Sequence, residues 1–173
     1  MRKGYYGTYG KFKSDTYGLL ELDQIPEKIN DYFERMKKFD VPLQIYVGTD
    51  SQNFSDTKMV SVVAVICEGH GGIFFYEISR IKRISDVKEK LTEETMRSLN
   101  IMTKLVEILE EDKYTNLRDC SSLSIHIDAG YSDKGKTKEL IPMLVGWIKG
   151  CGYDCSVKPD SFTASSIADK ISK

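Results

Sequence analysis

Apolar side chains recur at three- and four-residue steps from Leu22 to Phe39: Ile25, Ile29, Tyr32, Phe33 and Met36 fall on one helical stripe. Asp23 fits an N-cap, Pro26 fits the first turn, and Val41-Pro42 ends the run. The period then changes. Residues 43–50 read as a strand, 51–58 as a polar connector, and Met59 to Cys67 as a valine-rich strand. The turn Glu68-Gly69-His70-Gly71-Gly72 leads into a return strand over Ile73 to Ile81. Three strands with tight connections predict an antiparallel start to a sheet. Ser85 to Glu111 reads as one long helix, with Leu91, Met96, Leu99, Met102, Leu105, Val106 and Leu109 apolar. A polar loop over Asn116 to Ser121 precedes a strand, Leu123 to Asp128. A helix from Lys138 to Lys149 carries Pro142 in its first turn and stops at Gly150-Cys151-Gly152. Tyr153 to Lys158 is a short strand, and Ser161 to Ser172 a terminal helix. The second half alternates strand and helix, which predicts parallel pairing through crossovers.

The expected class is therefore α/β with a mixed sheet, in a single domain spanning residues 21–173. Residues 1–20 are rich in Gly, Tyr and Lys and read as a basic, aromatic arm. Rings between cations suit stacking on bases, and equally suit tyrosines packed on the surface. At 173 residues the chain is long enough to bury a core without staples. No apolar run reaches the ~18 residues that span a bilayer. Met1 to Tyr6 lacks the apolar stretch of a signal peptide, so a cytoplasmic location is expected.

Four cysteines with no CxxC pair and two histidines argue against a structural zinc site and point to reduced thiols. The formal net charge of −1 supplies no global attraction for a polyanion. A nucleic-acid ligand would have to be met by a local patch or by a metal.

Two apolar strands each end on an acid: Ile45-Tyr46-Val47-Gly48-Thr49-Asp50 and Ile125-His126-Ile127-Asp128. A lone carboxylate there costs several kcal/mol unless a cation or hydrogen bonds offset it. Strand ends of such a sheet open onto a common crevice, so Asp50 and Asp128 are candidates to share a cation. Glu94 in the long helix is a third: helical steps lead from it to Ser98, Met102 and Leu105, a face that suits packing on the sheet. Glu93 steps to Arg97 and Lys104, a wetter face. Asp160, after the last strand, and Asp169, in the last helix, are alternatives for a fourth; either also reads as a helix cap or a solvated charge. Oxygen-only ligands favour Mg²⁺ or Mn²⁺, and two such ions suit phosphodiester hydrolysis. No Ser-His or Cys-His pair competes, apart from His126 beside Ser124.

The words Val47-Gly48-Thr49-Asp50-Ser51-Gln52, Glu94-Thr95, His126-Ile127-Asp128, Gly135-Lys136-Thr137-Lys138-Glu139-Leu140 and Lys158-Pro159-Asp160-Ser161-Phe162-Thr163 together resemble the YkuK-type RNase H-like family, predicted nucleases of bacteria. The likeness runs from about Gly18 to Lys173. It implies an RNase H-like fold, a five-stranded mixed sheet with its first three strands antiparallel and helices on both faces. It also implies metal ligands at Asp50, Glu94 and Asp128, completed by Asp160 or Asp169. The family does not itself fix a substrate; the reading adopted is a metal-dependent nuclease acting on RNA or an RNA–DNA hybrid. Lys136, Lys138 and Lys158 are candidates to meet its phosphates, the first two at a helix start that favours anions.

Overall fold

A computed structural model describes residues 9–130, 135–160 and 171. The described elements, in chain order, are β1 (Phe12–Ser14), β2 (Gly18–Leu20), α1 (Ile25–Met36), β3 (Leu43–Asn53), β4 (Thr57–Cys67) and β5 (Gly71–Ile81), followed by α2 (Val87–Leu109), α3 (Thr115–Asp119), β6 (Ser121–Gly130), α4 (Lys136–Gly150) and β7 (Asp154–Lys158). The strands form one sheet in the order β2-β1-β5-β4-β3-β6-β7. β3, β4 and β5 pair antiparallel along their whole length. β6 runs parallel to β3, and β7 parallel to β6.

The sheet thus has seven strands, not five. The five expected strands are its β5-β4-β3-β6-β7 portion. The two additional ones come from residues first assigned to the arm. Alternation turns Phe12 and Ser14 inward and leaves Lys11 and Lys13 outside, and Leu20 is buried on the partner strand. Phe12 pairs with Leu20 across this hairpin, and Lys13 pairs with Tyr76 of β5. Burying two large side chains contributes about 3–6 kcal/mol, enough to hold a short hairpin on an existing edge.

The polar connector also proves shorter than its composition implies. β3 continues to Asn53 and β4 begins at Thr57, leaving three residues for the turn. A closed ring of hydrogen bonds makes this possible. The Thr57 hydroxyl donates to Asn53 Oδ1 at 2.7 Å, Asn53 Nδ2 to the Ile84 carbonyl at 2.9 Å, and the Ile84 amide back to Thr57 Oγ1 at 2.9 Å. Polar strand ends are thereby satisfied without solvent. Residues read as loop before β6 form the short helix α3.

One apolar cluster lies on the sheet face that carries α1, α2 and α4. Leu43, Ile45 and Val47 of β3, Ile125 and Ile127 of β6, and Ile101, Met102 and Leu105 of α2 belong to it. The opposite face holds Val60, Val62 and Ala64, fully buried, with Tyr46, Phe74, Tyr76 and Ile171 against them. Lys58 donates to the Ile171 carbonyl there, at 2.5 Å. The expected terminal helix otherwise falls outside the described residues, as does Asp169. Among the described residues no helix is long and apolar enough to cross a membrane.

Candidate functional site

β3 and β6 pair from Leu43 with Ser121 to Gly48 with His126, at a constant offset of 78 residues. That offset sets Asp50 level with Asp128, each two residues past the last pair. Adjacent strands lie about 4.8 Å apart, so the two acids share one edge of the sheet. Beyond Gly48 the strands part: β3 stays with β4, and β6 stays with β7. A small cleft opens at this fork, lined by Thr49, Glu94, Thr95, Ser98, His126 and Asp128 among others.

Alternation assigns Asp50 to the sheet face of Tyr46, whose ring stands 4.3 Å from that of His126; Asp128 follows Ile127, where the register with β7 shifts, and lines the cleft with Glu94. Ser51 faces α2 and donates its hydroxyl to Glu94 Oε1 at 2.5 Å. Glu94 is 7% exposed. Burial pushes its carboxyl up to about 8; the Ser51 hydrogen bond pulls down, Asp50 pushes up, Lys90 pulls down and Asp128 pushes up. Three acids from β3, α2 and β6 therefore act on one another, and at neutral pH Glu94 keeps its proton. Glu93 is instead paired with Arg97 at 2.8 Å.

Asp128 meets a cation already present. Lys158 Nζ stands 3.0 Å from its Oδ1. Gly130 pairs with Lys158 across a register shift, and a Cβ at Gly130 would lie 2.8 Å from the Lys158 carbonyl oxygen. The glycine lets β7 approach closely enough for that ion pair to form. Lys158, read from sequence as a phosphate contact, is thus engaged with an acid of the cluster. Asp160 is exposed in the turn after β7, where its amide donates to the Val157 carbonyl at 2.8 Å. It is not among the principal groups acting on Glu94. Lys138 is exposed in the first turn of α4, and the Lys136 side chain falls outside the described residues. Among the described residues no three His, Cys, Asp or Glu side chains are spaced to hold one metal ion.

A chain of hydroxyls, which motif reading passed over, supports the site from within. Ser98 donates to Thr49 Oγ1 at 2.9 Å, and Thr49 shares a hydrogen bond with Ser61 at 3.0 Å. All three are buried. The signal was present in the strand Thr49-Asp50-Ser51 and in Ser98, one helical turn after Glu94. His126, 3% exposed, has its pKa pulled down to about 4 by burial. It is neutral near pH 7 and unsuited to donate a proton there.

The family model for Ribonuclease H-like proteins matches residues 24–173. A Bacillus subtilis (strain 168) protein, "Uncharacterized protein YkuK", is 29% identical over 173 residues, covering 92% of this chain and 99% of that protein. No solved structure matches significantly. The fork in the parallel half of the sheet and the match over residues 24–173 lead to one assignment: the chain belongs to the Ribonuclease H-like family.

Proposed function

We propose that this protein is a metal-dependent nuclease that hydrolyses phosphodiester bonds of RNA or an RNA–DNA hybrid. The observation that carries this reading is the level placement of Asp50 and Asp128 on neighbouring parallel strands, with Glu94 held up to about 8 beside both. Like-charged acids gathered this way are stabilised by a divalent cation. The donor set is oxygen only and fits Mg²⁺ or Mn²⁺. The excess charge is met here by Lys158 and by the proton on Glu94, the two positions where a cation would compete.

In this reading Asp50 and Asp128 would hold the ions directly, and Glu94, deprotonated, would help to hold one ion or orient a water. The chemistry so supplied would be a lowered pKa for the attacking water and stabilisation of the leaving oxygen. Ser51 orients Glu94, and the Ser98–Thr49–Ser61 chain fixes α2 against the sheet so that the carboxyl cannot drift. Lys138, exposed in the first turn of α4, would meet a phosphate of the substrate. Asp160 or Asp169 completes the set.

The ion pair between Asp128 and Lys158 supports a second reading, a non-catalytic nucleic-acid- or protein-binding module on the same fold. Cleavage of labelled RNA–DNA hybrid, RNA and single-stranded DNA with Mn²⁺ separates the two. The nuclease reading requires activity in the wild type and its loss, by at least ~10³-fold, in Asp50→Asn and Asp128→Asn. A wild type that binds but cuts nothing, or an Asp50→Asn variant that cuts equally well, defeats it.

A further inference from the structure

The turn between β3 and β4 holds a large apolar ring in water. Phe54 is 43% exposed, yet its backbone is firmly held. The ring of hydrogen bonds through Asn53, Thr57 and Ile84 ties both ends of the turn to the segment after β5. The Phe54 amide donates to the Asp56 carbonyl at 2.7 Å, and Arg83 donates to the Phe54 carbonyl. An isolated exposed Phe needs no explanation. A rigidly mounted one among cations does. The guanidinium of Arg80 stands 5.6 Å from the ring centroid, and Lys82 and Arg83 are exposed beside it in sequence. Asp56 neutralises only one of the three, through its 2.7 Å pair with Arg80. In a chain of formal net charge −1 this is a local positive patch.

The patch lies on the edge of the sheet that carries Asp50. Four residue steps separate Asp50 from Phe54, at most about 13 Å. We propose that the β3–β4 turn is a second contact for a nucleic-acid strand: an unpaired base stacks on Phe54, and Lys82 and Arg83 receive the flanking phosphates. The proposal deepens the nuclease reading by naming a substrate contact outside the carboxylate cluster. Exposed aromatics bind bases whatever their sequence, and cations beside them follow the backbone.

The test is binding of a 12-nucleotide single-stranded RNA carrying 2-aminopurine to the full chain, with EDTA present so that no cleavage occurs. The wild type quenches the fluorophore. Phe54→Ala and the bulk-preserving Phe54→Leu each lose that quench and weaken binding about tenfold, as expected for one stacked base; Phe54→Trp retains both. Arg83→Ala lowers the slope of log K against log salt by about 0.7, one phosphate contact on a single strand. Wild-type binding by both Phe54→Ala and Phe54→Leu overturns the proposal, as does failure of the wild type to bind. If the quench depends on Phe54 but the wild type cuts nothing with Mn²⁺, the platform stands and the nuclease reading falls. If the wild type cuts hybrid and Phe54→Ala binds and cuts equally well, the nuclease reading stands and the platform falls.

Discussion

The ammonium of Lys158 sits 3.0 Å from the carboxylate of Asp128, with the lysine side chain half exposed and the aspartate largely covered. Such a pair contributes at most ~1 kcal/mol to stability. It occupies the acid that the proposed metal needs. Lys158→Met should therefore leave the thermal midpoint nearly unchanged while raising Mn²⁺ affinity several-fold, read by calorimetric titration. An unaltered affinity would mean that the ammonium and the ion do not compete.

Glu94 makes stability depend on pH in a defined direction. Below pH 4.5 the carboxyl is protonated whether the chain is folded or not. Between 4.5 and about 8 the unfolded chain releases a proton that the fold retains. Stability therefore falls as pH rises through this window, by up to about 1.4 kcal/mol per unit, and levels off above it. Urea denaturation from pH 5 to 9 should show the fall in the wild type and a flatter profile in Glu94→Gln. Added Mn²⁺ at pH 8 should restore the wild type and leave the variant unmoved.

His126 acts at the opposite end of the scale. Its folded value near 4 lies below the ordinary 6.5, so below pH 6.5 the unfolded chain takes up a proton that the fold refuses. Stability is lost as pH falls from 6.5 towards 4. His126→Gln should unfold less readily than the wild type at pH 4.5 relative to pH 7, measured by the shift in urea midpoint.

Thr49 links two buried hydroxyls, accepting from Ser98 and sharing a bond with Ser61. Thr49→Val keeps the shape and strands both partners, at a cost of about 1–3 kcal/mol. The triple variant Thr49→Val, Ser98→Ala, Ser61→Ala should recover part of that loss, because neither hydroxyl that Thr49 had partnered then remains to be stranded. Equal denaturation midpoints for the wild type and Thr49→Val would count against this account.

Gly130 is placed where no side chain fits. Its Cβ would lie 2.8 Å from the Lys158 carbonyl oxygen and 3.0 Å from the Lys158 Cβ. Gly130→Ala should push β7 outward, destabilise by about 1–3 kcal/mol, and draw Lys158 away from Asp128. A crystal structure of the variant would show the lengthened contact.

Much of this architecture was readable from the chain, for physical reasons that differ by element. β4 and α1 announce themselves through dense periodic apolar residues. Glu94 stands out because its helical neighbours Ser98, Met102 and Leu105 require that face to be buried. β1 and β2 were not legible as strands, since two inward residues, Phe12 and Leu20, are too few to establish a period. The ends of β3 and β4 were hidden because Asn53 and Thr57 are satisfied by Ile84, some thirty positions away. The Asp128 to Lys158 pair depends on a register shift between β6 and β7 that no local pattern encodes.

The central strands of this sheet run to eleven residues, while its outermost strands have three and five. A margin so short offers a passing chain few free amide and carbonyl groups to latch onto. Copies of the chain at high concentration are thereby kept from zipping edge to edge into fibrils.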